Sequence, residues 1–553
     1  MNATLRKPFL TAGVLAASVA ALALPAGASA AVTVDASGNP IVFQGDGADD
    51  NLVLSVSAGK IAHNLPAAQG FASATDLDAA TAGTQDADVA GANIVVRGGA
   101  GNDILNASAL GNTYNSLEVQ GEAGDDVVTG GGKADTLGGG EGDDRVVGAQ
   151  GGDLMTGDAG NDVLVWNNGD GSDTMDGDAG NDEIEVNGSA NAGDEFTIAP
   201  GANGRTKFDR VNLVPFTLDT LAERMTVSGL GGNETMTGAP GLAGRILLTL
   251  NGNAGADALT GGDGADRISG GEAADVLNGG AGDDDVTGDR GADQMLGGAG
   301  SDVLEWNNGD GSDVATGGAG ADLVRVNGSV TDGDAMQVAP AGQGIRFQRT
   351  NLVPFTIDLD TESIEMNGLG GNDTIAAKPG LAGRLGVLAA GGSGDDRIEV
   401  RNGAADSAAG GDGTDSAIVD RADIVSGVES VDRPPRSVAK IVGKARLVWR
   451  GRTPIAVFSV RTPAGAESAS TGVLRLTTAK AIRIGGIKLR AELGSRRFDV
   501  APGETDRVRV RLPADARSLA KRGKLKVRAV ASTREGDSLT QTARNATLEF
   551  PRR

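Results

Sequence analysis

In residues 261–305 one large apolar side chain returns every nine positions: Ile268, Leu277, Val286, Met295 and Leu304. Each stands two places after an aspartate, in units such as GGDGADRIS (261–269) and GGAGDDDVT (279–287). Glycine allows backbone conformations that a β-carbon penalises, so the first six residues of each unit predict a tight turn. The last three predict a short strand with its apolar residue facing inward. Two units then make one coil, and residues eighteen apart become neighbours at a sheet spacing of about 4.8 Å.

An earlier array, including GGEGDDRVV (139–147), GAQGGDLMT (148–156) and GDAGNDVLV (157–165), follows the same lattice. Both arrays slip by two residues at one word, WNNGDGSD, at 166–173 and again at 306–313. NLVPFT at 212–217 and 351–356 and PGLAGR at 240–245 and 379–384 extend the match, so the body of the chain is a tandem copy of one long unit. Repetition on two scales predicts a solenoid. The stretches 186–251 and 326–390 alternate apolar and polar residues and are expected to continue or cap it as short strands. GGAGNDILN (98–106) is a lone earlier repeat and GDGADDNLVLS (45–55) a looser one.

After Asp432-Arg433-Pro434-Pro435 the pattern changes to period two. Runs such as PIAVFSVRT, DRVRVRLP and KLKVRAVAS predict a small β-sandwich, with one helical turn at 517–523. Charge changes at the same place. Residues 431–553 hold 28 Lys+Arg against 10 Asp+Glu, and residues 1–430 hold 21 against 64. An acidic body of that size repels itself unless counter-ions neutralise it. Composition sharpens the problem: with 89 Gly and 3% aromatics, large core side chains are scarce, and Cys 0 excludes disulfides. One His and one Tyr leave almost no material for nucleophile–base pairs. Arg6 and Lys7, the apolar run Phe9 to Leu24 and Ala28-Ser29-Ala30 fit a cleaved secretory signal, and no later segment is apolar enough to span a bilayer.

Stacking places Asp257, Asp275 and Asp293 in one column and Asp266, Asp284 and Asp302 in another. Ionised carboxylates so close repel, and a hard divalent cation between coils relieves them. Calcium takes about 6–8 oxygens in flexible geometry, which suits carboxylates mixed with turn carbonyls better than magnesium's strict octahedron does. A flexible Gly/Asp linker would explain the composition but not the spacing.

On these residues the arrays resemble the RTX (haemolysin-type) calcium-binding nonapeptide repeats. The resemblance implies a parallel β-roll that orders as several Ca2+ ions bind. The motif transfers metal-ligand roles to Asp103, Asp126, Asp135, Asp144, Asp153, Asp162, Asp173 and Asp182 in and before the first array. In and after the second array it transfers them to Asp257, Asp266, Asp275, Asp284, Asp293, Asp302, Asp313, Asp322, Asp396 and Asp415. Lys133 and Ala273 replace the fourth-position glycine before Asp135 and Asp275, and Glu234 stands where Asp belongs.

The expected chain is therefore all-β: a parallel β-roll or β-solenoid in two tandem copies, then a β-sandwich. Its expected segments are a signal peptide (1–30), a divergent N-terminal β segment (31–120), roll copy one with a strand-rich extension (121–251) and copy two likewise (252–390). Degenerate terminal repeats (391–430) and a basic Ig-like sandwich (431–553) follow. The expected function is a secreted calcium-binding repeat protein, structural or adhesive outside the cell or at its surface, and not an enzyme. The alternative is a calcium-dependent polysaccharide-modifying lyase, epimerase or hydrolase on a β-helix. The basic module reads first as an appended or body-docking domain. Its alternative partner is an anionic cell-wall polymer or surface glycan, with no nucleic acid. Trp166 and Trp306 are expected to cover the coil at the slip, with sugar stacking as the alternative.

Overall fold

The computed structural model describes residues 31–69, 71–79, 85–484, 487–520, 523–535 and 538–551, so the expected signal segment lies outside the described residues. The chain divides into two compact units, Met1–Gly282 and Asp283–Arg553. Among the described residues there is no α-helix and no helix long and apolar enough to cross a membrane.

In the first unit, two parallel sheets are built from alternate half-coils. Thr136–Glu141 lies parallel to Leu154–Gly160 with Leu137 opposite Met155, and Arg145–Val147 lies parallel to Val163–Asn167 with Val146 opposite Leu164. Partners are eighteen residues apart, as the nine-residue period requires. Val128, Leu137, Val146, Met155 and Leu164 are all buried, so each half-coil contributes one apolar side chain to a narrow core. The second unit repeats this with Val286, Met295 and Leu304. Glycine is needed at the fourth place of the turn: Gly142 has φ +131°, and a β-carbon there would strike the carbonyl of Gly124 on the previous coil. Ala273 holds that place at φ +89°, a strained conformation that its coil maintains.

The two-residue slip is absorbed within one coil. Met155 pairs with Met175 and Leu164 with Ile184, both twenty apart. The strand-rich extension then does more than continue the solenoid. Glu195–Pro200, Thr206–Arg210 and Phe216–Leu221 form an antiparallel three-strand insertion, and the last lies parallel to Thr174–Asp176. Ala335–Ala341, Gly344–Arg349 and Phe355–Asp360 do the same in the second unit.

The widened core needs large side chains, and the chain's scarce aromatics gather there. Trp166 stacks on Phe216 at 3.8 Å and Trp306 on Phe355 at 3.7 Å. Both tryptophans are buried and donate from Nε1 to carbonyls, of Gly171 and Gly311, so sugar stacking is excluded for them. Two buried ion pairs, Arg210–Asp194 at 2.6 Å and Arg349–Asp334 at 3.2 Å, fasten the insertions.

At the C-terminus, Lys440–Arg450, Thr453–Arg461 and Thr505–Arg511 form one antiparallel sheet. Glu492–Val500, Ser470–Thr478, Lys524–Glu535 and Ser538–Glu549 form another. Alternate residues of both, among them Phe458, Val460, Val508, Leu474, Leu476 and Val527, share one core. In the described part of the expected helical turn (517–523), Leu519 and Ala520 donate to the carbonyls of Ala516 and Arg517, and residues 521–522 lie outside the described residues.

Candidate metal columns

Each aspartate that opens a short strand sits at a coil corner with its carboxyl turned inward. One oxygen is then claimed by the backbone. The N–H of Asp50 donates to Oδ1 of Asp103, Asp103 to Asp126, and Asp126 to Asp144, each at 2.7 Å. Asp144 donates to Asp162 at 2.8 Å and Asp162 to Asp182 at 2.9 Å, and the column ends on Oε2 of Glu223. A second column runs Asp135, Asp153, Asp173 at 2.8 Å per step. A third runs Glu234, Asp257, Asp275. Asp266 is buried nearby, with its carboxylate on the N–H of Leu248.

In the second unit Asp284, Asp302 and Asp322 step at 3.0 Å to Oε2 of Glu362, and Asp293 donates to Asp313 at 2.9 Å. Asp334, Asp373, Asp396 and Asp415 form a further column that ends on Glu429. All eighteen aspartates singled out from the sequence are buried at coil corners. The pairs across the WNNGDGSD slip also align.

The second oxygen is different. In Asp103, Asp126, Asp144, Asp153, Asp162, Asp173, Asp257, Asp302, Asp313, Asp322, Asp373, Asp396 and Asp415, Oδ2 is buried and has no hydrogen-bond partner. Buried polar atoms are normally partnered, so an orphan repeated along these columns makes these oxygens candidate ligand positions. Electrostatics agree. Burial pushes Asp126 and Asp162 up to about 6, Asp103 and Asp144 to about 7 and Asp153 to about 8, against the opposing pull of the donated N–H. Neighbouring carboxylates raise them further.

The first glycine of each unit completes the geometry. A β-carbon on Gly121 would fall between Oδ2 of Asp126 and the carbonyl oxygen of Gly139 on the next coil. The same close approach recurs at Gly98 between Asp103 and Gly121, at Gly252 between Asp257 and Gly270, and at Gly297 between Asp302 and Gly317. At each of these glycines Oδ2 and the next coil's carbonyl oxygen therefore approach the Cα so closely that no side chain fits between them. Among the described residues no three acidic, histidine or cysteine side chains converge, so an ion here would draw most of its oxygens from carbonyls. That donor set, hard oxygen only and irregular, fits calcium.

Asp135 departs from the pattern. Tyr114 donates its hydroxyl to both oxygens, at 2.8 and 2.9 Å, and the N–H of Gly131 also points at Oδ2. Its carboxylate is saturated by protein donors, because Lys133 in place of glycine reroutes the turn and gives its own N–H to the Tyr114 oxygen. Conversely, Asp373 carries the same buried orphan Oδ2 without having been singled out, whereas in Asp50, at the head of its column, Oδ2 accepts from the N–H of Asp46 and Oδ1 is the orphan. Their words, GDGADD and GLGGND, break the glycine pattern at other places while keeping the sixth-position acid.

The RTX calcium-binding nonapeptide repeat model matches residues 95–113, 120–155, 138–165, 168–191, 249–277, 269–304 and 308–328. No curated protein matches the chain. Among solved structures, the crystal structure of Spo0M, sporulation control protein, from Bacillus subtilis matches at 21% identity over 20% of this chain and 51% of that one. Its TM-score is 0.13, too low to carry any argument, and the chain spans about half of that protein's length.

Proposed function

We infer, from a chain that carries RTX calcium-binding nonapeptide repeats in an all-β solenoid, that it is a secreted protein whose coils order on calcium binding and that serves as a structural or adhesive component outside the cell. One observation carries this reading: a buried carboxylate oxygen without a partner, set beside a glycine carbonyl of the next coil, at rung after rung. The holding groups would be the column aspartates and the first-position glycine carbonyls, with Asp373 added and Asp135 set apart. Calcium, when bound, supplies positive charge between facing carboxylates.

The chain's own residues do the rest. Oδ1 of each aspartate accepts an N–H and fixes the side chain, leaving Oδ2 aimed at the gap. Because this donor set exists only in the stacked coil, binding stabilises the fold by linkage. Extracellular calcium modules typically bind at about 10⁻⁴–10⁻³ M, which suits a chain that stays loose inside the cell and sets outside. The signal-like segment at 1–30 supports export. Carboxylates held by backbone donors at a fixed period support a ligand ladder rather than an acid–base pair.

Far-UV circular dichroism of the metal-stripped full chain tests this. A rise in β signal on calcium addition is expected, and a spectrum unchanged through 10 mM calcium, about ten times the weakest such affinity, overturns it.

A further inference from the structure

The sheet of Lys440–Arg450, Thr453–Arg461 and Thr505–Arg511 buries one face against the second sheet: Ala456, Phe458, Val460, Val508 and Val510 point into the shared core. Alternation puts the residues between them on the outer face. There Val457 lies between Arg446 and Arg509, Ile455 between Val448 and Arg511, and Ser459 faces Arg507. Arg446, Arg507, Arg509 and Arg511 are exposed, and among the described residues none pairs with a carboxylate. The module's ion pairs, Arg475–Glu492 and Lys524–Glu549, are on the other sheet. The one acid on these three strands, Asp506, has the opposite parity, across from buried Val460.

This face is an aliphatic strip flanked by a row of three guanidinium groups, Arg507, Arg509 and Arg511, on one side and by Arg446 on the other. Along the row, successive arginines are about 6.6 Å apart, and Arg446 lies about two strand spacings away, roughly 9.6 Å. Unpaired guanidinium forks suit carboxylates in two-point contact. The strip between them suits the apolar face of a sugar ring. No aromatic ring lies on this face, since Trp449 is opposite buried Pro454, so nucleobases would find nothing to stack on.

We propose that this face docks a linear acidic polysaccharide, its rings along Val448, Ile455 and Val457 and its carboxylates against Arg446, Arg507, Arg509 and Arg511. The assignment deepens the adhesive part of the function above and rests on it for its setting; the surface itself belongs to strands that hold no calcium column.

The test is binding of the full chain, in calcium, to hyaluronan, which carries carboxylates, with neutral dextran, inorganic polyphosphate and single-stranded DNA as comparison probes. Two triple variants are matched in net charge: Arg507→Gln/Arg509→Gln/Arg511→Gln on the face, and Arg497→Gln/Lys526→Gln/Arg528→Gln on the other sheet. Hyaluronan binding is expected to weaken at least tenfold in the first and less than twofold in the second, with dextran not bound. Equal loss in both variants, no binding by the unaltered chain, equal binding of polyphosphate or DNA, or self-association in place of glycan binding each overturn the proposal. Circular dichroism on the same samples separates the two readings, because the calcium response should be identical in both variants.

Discussion

The backbone N–H of Asp126 donates to Oδ1 of Asp144 at 2.7 Å, while Oδ1 of Asp126 itself accepts from Asp103 at the same distance. Each carboxylate therefore has two faces. One is a structural acceptor that ties coil to coil, and the other is a buried oxygen with no donor. Repulsion between stacked acids is thus partly offset by the backbone, and what is left for a cation is Oδ2.

Separating those two roles is possible at Asp144. Asp144→Asn keeps an oxygen for the Asp126 N–H and removes the charge, so the metal-free chain should be at least as stable while calcium stoichiometry falls. Asp144→Ala also strands that N–H and should cost about 1–3 kcal/mol with or without calcium. Urea unfolding and calorimetric titration read both; identical behaviour of the two variants would contradict the split.

The raised carboxylates set a pH dependence. Asp126 at about 6, Asp103 and Asp144 at about 7 and Asp153 at about 8 are all held above the ordinary 3.8, chiefly by burial. Between about pH 4 and 8 the folded metal-free chain binds more protons than the unfolded one, so stability falls as pH rises. The urea midpoint without metal should be higher at pH 5 than at pH 8. With saturating calcium the order should reverse, because the ligands must be deprotonated.

Glycine at the first position is a steric requirement of the coil corner. Gly121→Ala would place a methyl between Oδ2 of Asp126 and the Gly139 carbonyl, costing about 1–3 kcal/mol by overpacking and removing that rung's calcium. Gly38→Ala, where a β-carbon meets nothing, should stay within about 0.5 kcal/mol. Thermal melts with and without calcium distinguish them.

At Asp135 the Tyr114 hydroxyl occupies the carboxylate. Tyr114→Phe removes the donor to both carboxylate oxygens, so the metal-free chain should lose about 1.5–3 kcal/mol. Calcium should recover part of the loss, with one more ion bound. An unaltered ion count would make Asp135 a purely structural anchor.

The coil was legible because its physics is periodic. Leu277 and Val286, nine apart and two after an aspartate, state the register outright, and the structure keeps it. The antiparallel insertions were not. Phe208 and Phe216 are far from Trp166 in sequence, and only the packing of the widened core shows why WNN, Arg210 and NLVPF recur together. Asp373 was hidden by Leu369 at the second turn position, which adopts φ +69° where glycine was expected. Tyr114, twenty-one residues before Asp135, gave no local sign of its bond to that carboxylate.

The most direct measurement is anomalous diffraction from crystals grown in calcium. Peaks should appear between the coils beside Oδ2 of Asp103, Asp126, Asp144 and Asp162, next to the first-position glycine carbonyls, and none at Asp135. Well-ordered coils without anomalous density at those oxygens would contradict the account.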